Sequence, residues 1–106
     1  MSRLVSVARA EEIAAGGVKQ VWVDDEPIAV FNVAGEYYAV TDNCTHEDTP
    51  LSEGYLDEDG CDIECPLHGS RFDLRTGKAL TLPAIFPVRV FEVTVEGDEI
   101  KIEVDS

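Results

Sequence analysis

All three cysteines of this 106-residue chain, and both of its histidines, fall in one stretch, CTHEDTPLSEGYLDEDGCDIECPLHGSRFD, from Cys44 to Asp73. Any fold must gather that stretch around whatever these side chains bind, and the rest of the chain must support it. The support reads as β. VKQVWVD and PIAVFNVA are rich in β-branched and aromatic residues. They flank a turn at DE, just before Pro27, and AGE at 34–36 turns the chain again into YYAV. In FEVTVEGDEIKIEV, Phe91, Val93 and Val95 alternate with Glu92, Thr94 and Glu96. After a turn at Gly97 and Asp98, Ile100, Ile102 and Val104 alternate with Lys101 and Glu103. That period of two predicts a hairpin with one face buried and one in water. AEEIAAGG predicts one or two helical turns ending at glycine. Many short strands at this spacing predict an all-β sandwich or barrel. With 44% apolar residues the chain fills one core, so a single domain over 1–106 is expected. The glycine-dotted stretch from about 42 to 78 reads as a loop-rich insertion. Residues 1–41 and 79–106 form the β base that carries it.

Charge narrows the partners. Twenty-two acids against eight bases give a net charge of -14. Such a chain repels nucleic acid and anionic membranes and is steered toward basic protein surfaces. The segment MSRLVSVARAEEI carries Arg3, Arg9, Glu11 and Glu12 and lacks the apolar core of a signal peptide. No stretch approaches the roughly 20 apolar residues that span a bilayer. An odd cysteine count argues against a disulfide framework and for a reducing cytoplasm, where clustered cysteines more often bind metal. The expectation is a cytoplasmic monomer.

The ligand spacing comes next. Cys44 and His46 form C-x-H, Cys65 and His68 form C-x-x-H, and 18 residues, 47 to 64, separate the pairs. Two short pairs on two loops can pinch one metal centre. Zinc accepts such a set tetrahedrally. A two-iron cluster accepts it with the thiolates on one iron and the imidazoles on the other. Structural zinc sites favour two cysteines or two histidines per pair over the mixed C-x-H seen here. Cys61, in CDIEC, fits no ligand position and reads as a packed strand residue. From Asp42 to Glu64 the chain has nine acids and no base. This run reads as a solvated surface and as a docking face around the loops. The prolines of LPAIFPV mark an edge strand or a stiff loop.

CTH followed by CPLHG resembles the two ligand boxes of Rieske-type [2Fe–2S] proteins. The continuation SRFDLRTGKAL resembles the small Rieske ferredoxins of aromatic ring-hydroxylating dioxygenase systems. The resemblance implies an antiparallel β-sandwich or barrel base with an inserted cluster-binding subdomain. It implies one [2Fe–2S] cluster, with Cys44 and Cys65 on one iron and His46 and His68 on the other. The high-potential branch of that family has an additional disulfide between its boxes. Thr49 and Leu67 occupy the matching positions, so no such bridge can form. Ser70 matches a serine that hydrogen-bonds the cluster there, and Phe72 stands where that branch has a tyrosine. Without that hydroxyl, and with nine acids nearby, the potential is expected at the low end of the Rieske span, about -150 mV.

The function expected is one-electron transfer. All four iron positions would be filled by protein, leaving no open site for substrate. An oxygenase needs a further iron held by two histidines and a carboxylate, and both histidines are already used. No G-x-G-x-x-G motif offers a nicotinamide or flavin site. What remains is a carrier, not an enzyme, between a flavin-dependent NAD(P)H reductase and a terminal oxygenase. The alternatives are a zinc-stabilised interaction module without a redox role, and a Rieske carrier for another process such as cluster assembly.

Overall fold

The computed structural model describes residues 2–44, 49–67, 69–82 and 86–105, the last of them by its backbone only. Among the described residues ten strands follow one another: β1 (Ser2–Arg9), β2 (Val18–Val23), β3 (Glu26–Val33), β4 (Glu36–Thr41), β5 (Tyr55–Asp57), β6 (Asp62–Glu64), β7 (Arg71–Asp73), β8 (Val90–Phe91), β9 (Val93–Glu96) and β10 (Glu99–Asp105). They build three antiparallel sheets, ordered β1-β10-β9, β2-β3-β4-β8 and β5-β6-β7. The four-stranded sheet is the middle layer. One of its faces packs Ile28, Val30 and Ala39 against Ile100, Ile102 and Val104 of the first sheet. Its other face packs Ala29, Phe31, Val33 and Val40 against Ile63, Phe72 and Leu74, from β6, β7 and just beyond. Covered on both sides, β3 is buried from Ile28 through Val33, which is why its sequence is nearly continuous in apolar residues instead of alternating.

Tight turns set the registers. Asp24 and Asp25 both take positive φ, 50° and 68°, as do Ala34 and Gly35 at 52° and 95°. These are two-residue connections between β2 and β3 and between β3 and β4, and positive φ at both central positions suits the right-handed twist of the strands. The first turn lies at Asp24–Asp25, one residue before the DE expected from sequence. Gly77, at φ 81°, is a different case: a Cβ there would lie 2.1 Å from the carbonyl oxygen of Val88. Its own carbonyl accepts the Val88 N–H at 2.8 Å, so only glycine lets the two backbones meet.

Three further expectations are corrected. The helical segment is a single 3₁₀ turn, Ala10–Glu12. Beyond it the backbone turns to β3 instead: Gly16 N–H donates to Asn32 O, and Asn32 N–H donates to Gly17 O. The FEVTVE half of the hairpin is not one strand. It breaks at Glu92, so Phe91 pairs with Ala39 in the middle sheet while Val93 pairs with Ile102 in the first. Past the break Val95 is 44% exposed, whereas Ile100, Ile102 and Val104 opposite are buried as expected. Cys61 is no strand residue but a turn residue ahead of β6, at φ 54°. Among the described residues no helix is long and apolar enough to cross a membrane.

Candidate metal centre

Cys44 and Cys65 reach one core from separate loops. Both are buried, in the cluster of Phe31, Leu51, Ile63 and Phe72. None of the three cysteines is in a disulfide. Cys44 follows β4 after two bends, and its N–H donates to Thr49 O at 2.8 Å, which closes the first loop on itself. Cys65 follows β6 directly. Its N–H donates to Ser70 O at 2.7 Å, and its carbonyl accepts from Gly69 N–H at 3.1 Å. Gly69 takes φ 72°, a left-handed conformation that an L side chain resists. The second loop is thus the tip of the β6–β7 hairpin, just beyond the Glu64–Arg71 pair. Ser70 and Phe72 are fully buried behind it. Thr81 ties the following segment down by accepting the Arg71 N–H at 2.9 Å, and Leu80 N–H donates to Arg71 O at 2.7 Å.

His46 and His68 lie outside the described residues, as do Glu47 and Asp48 of the first loop and residues 83–85 of the proline segment. The described remainder of that segment, Leu82 and Phe86 to Val88, forms no strand. Large apolar side chains are exposed in the second loop and in the proline segment: Leu67 is 58% exposed, Leu82 77% and Phe86 64%. Two cysteine sulfurs in one dry core, delivered by adjacent backbone-closed loops with a histidine in each, suit a cluster that takes two thiolates and two imidazoles.

The acid run is less uniform than its composition suggested. Asp42 and Asp62 are buried. Burial pushes the Asp62 carboxyl upward, while Arg71 pulls it back down. Arg71 lies 3.2 Å from Glu64, 3.5 Å from Asp62 and 3.7 Å from Asp57, so one cation ties together the outer faces of β5, β6 and β7. Burial also pushes the Cys61 thiol upward, with a Tyr38 hydrogen bond acting the other way. Tyr38 itself is pushed up to about 12, first by its hydrogen bond to Glu36 and then by burial. Cys61 itself is 7% exposed and sits in the turn ahead of β6. Asp42 was the residue that sequence reasoning missed. The acid run to which it belongs reads as solvated, yet it is 3% exposed, two positions before the first cysteine. A carboxylate so close to a ligand box was the available signal.

The family model of the Rieske [2Fe–2S] domain matches residues 3–92, and the chain belongs to that family. It is a ferredoxin, an electron carrier with one Rieske-type [2Fe–2S] cluster as its cofactor and not a catalyst in its own right. Over 103 residues it is 42% identical to the ferredoxin component of biphenyl 2,3-dioxygenase from Rhodococcus jostii (strain RHA1), covering 97% of this chain and 94% of that one. It is 51% identical over 82 residues to the 3-phenylpropionate/cinnamic acid dioxygenase ferredoxin subunit of Shigella boydii serotype 4 (strain Sb227), covering 76% of each. A solved complex of reduced oxygenase and oxidised ferredoxin in carbazole 1,9a-dioxygenase contains a chain that superposes with a TM-score of 0.85 at 39% identity. The match covers 93% of this chain and 91% of that one.

Proposed function

We propose that this ferredoxin is the electron carrier of an aromatic ring-hydroxylating dioxygenase, in the cytoplasm and as a monomer. It takes electrons one at a time from a flavin-dependent NAD(P)H reductase and delivers them to the terminal oxygenase. Cys44 and Cys65 hold one iron, and His46 and His68 the other. The bound cluster supplies reversible one-electron transfer at a potential above that of four-thiolate ferredoxins, because neutral imidazoles replace two anionic ligands.

The chain's own residues do three things. The closed loops fix where the two thiolates stand. Phe31, Leu51, Ile63 and Phe72 keep water from their inner side. Leu67, Leu82 and Phe86 give the loop end an apolar surface on which a partner can seat. The observation that carries this reading is that Cys44 and Cys65 belong to one buried core. It is supported by relatives that are ferredoxin components along nearly the whole chain.

Anaerobically purified protein is expected to hold about two irons and two acid-labile sulfides per chain. It should be reduced by NADH only when a dioxygenase-type flavoprotein reductase is added. Replacing His46 or His68 with Ala should abolish the visible bands, and Cys61→Ala should leave them. One zinc per chain, with no iron, would sink the proposal.

A further inference from the structure

The two ligand loops are held at their necks by different means. The second sits on a strand pair, Glu64 opposite Arg71, so ladder hydrogen bonds close its base. Among the described residues the first has no such ladder. It leaves β4 at Thr41 and re-enters regular structure at the 3₁₀ turn Leu51–Glu53. Across that gap reaches one buried carboxylate. Asp42 Oδ1 accepts the Ser52 N–H at 2.6 Å, and Oδ2 accepts the Ser52 hydroxyl at 2.6 Å. Oδ2 also accepts from the Gln20 amide on β2 at 2.6 Å. Meanwhile the Asp42 N–H donates to Pro27 O on β3 at 2.9 Å. Asp42 at the start of the loop thus grips Ser52 at its end, and both are anchored to the middle sheet.

We infer that Asp42 is a positioning residue for the metal centre: its carboxylate clasps the neck of the first ligand loop and so sets where Cys44 stands relative to Cys65. The inference rests on Cys44 being a ligand, as proposed above. A carboxylate suits the task because it only accepts, and here it meets three donors. The bonds lie largely out of water, where an unmade one is costly. Loss of the clasp leaves the fold's two main cores intact but frees one ligand pair to drift from the other. A centre that needs four ligands in register then changes its electronic structure and opens to chelators more often.

The test compares Asp42→Asn with Asp42→Ala in the cluster-loaded protein. Asparagine keeps the clasp. Its Oδ1 accepts from Ser52 N–H, and its amide donates to the Ser52 hydroxyl and to Gln20, which is exposed and can turn its amide over. Alanine removes all three bonds. Two readouts are needed: the electron paramagnetic resonance spectrum of the reduced protein, and the rate of iron release to a ferrous chelator. Asp42→Ala is expected to shift the spectrum and to speed release at least about tenfold. Asp42→Asn should keep the wild-type spectrum and release iron within about threefold of wild type. Val104→Ala, a cavity in the far core, controls for lost stability alone and should leave the spectrum unchanged. Should Asp42→Ala fail to fold, Ser52→Ala removes one bond of the clasp and should shift the spectrum in a smaller measure.

Equal behaviour of Asp42→Asn and Asp42→Ala would overturn the clasp, since charge would then matter and not bonding. So would a wild-type spectrum in Asp42→Ala or Ser52→Ala, or a shifted one in Val104→Ala. A wild-type protein without a Rieske signal would instead refute the ligand assignment on which the inference stands.

Discussion

Gly77 and Gly97 offer a controlled comparison, because they share a backbone conformation and differ in what surrounds it. Their φ values are 81° and 62°. An alanine Cβ at Gly97 would meet nothing within 4 Å, whereas at Gly77 it would lie 2.1 Å from Val88 O and 3.1 Å from Val90 Cγ1. Gly97→Ala therefore carries only the left-handed backbone cost, about 1–2 kcal/mol. Gly77→Ala carries the same cost and a steric one. Ordinary contact begins near 3.4 Å, so the two backbones must part by more than an ångström, and the Val88 N–H bond to Gly77 O cannot survive that. Losing the bond and displacing the backbone adds roughly 2 kcal/mol or more, giving at least about 3 kcal/mol in total. At roughly 4 °C or more per kcal/mol, Gly77→Ala should melt over 10 °C below wild type and Gly97→Ala by about half that. Residues 77 and 88 also close the neck of the proline segment, so Gly77→Ala should lose its visible bands well before Gly97→Ala on heating. Scanning calorimetry and visible absorbance, recorded anaerobically on both variants, decide the matter. Equal melting temperatures would refute the steric account.

Phe72→Tyr should raise the reduction potential by about 40 mV, taking about 1 kcal/mol for one added hydrogen bond to the reduced cluster and one electron. An unchanged potential in protein-film voltammetry, with about 1–3 kcal/mol of lost stability, would mean a hydroxyl buried without a partner. Arg71→Met removes the cation shared by Asp57, Asp62 and Glu64. Arg71 is 40% exposed and its ion pairs are partly screened, so about 1–2 kcal/mol should be lost at pH 7. Burial holds the Asp62 carboxyl above its unfolded value, so its ionised form penalises the fold above the folded pKa, and the penalty fades as pH falls through it. The deficit of Arg71→Met should therefore shrink as pH falls into the carboxylate range in urea titrations, and a deficit that does not change with pH would contradict this.

What the sequence disclosed depended on the kind of signal. The family was legible in CTH and CPLHG because a metal centre asks for particular side chains at short spacing, and the family model of the Rieske domain matches across both boxes. The C-terminal β10 was legible because one buried face imposes a period of two on Ile100, Ile102 and Val104. The sheet change at Glu92 was not, because the same alternation serves a strand on either side of the break. Nor could composition tell which acids lie inside: Asp42 and Asp62 look like their solvated neighbours until the chain returns past them with Ser52 and Arg71. Cys61 read as a strand residue because its neighbours Asp62 to Glu64 are one; only the tertiary turn puts it at positive φ. AEEIAAGG has helical composition, but Asn32 on β3 claims the Gly16 and Gly17 backbone groups first.

The middle sheet belongs to both cores, and this governs how the molecule comes apart. Alternate residues of β3 face opposite ways, Ile28 and Val30 to one layer, Ala29 and Phe31 to the other. Neither outer sheet can peel away without baring half of β3 to water, so small openings are confined to loop tips and outer edges. The amides of β3 should exchange with solvent only when the whole chain unfolds. A redox centre seated on such a partition has a stiff floor.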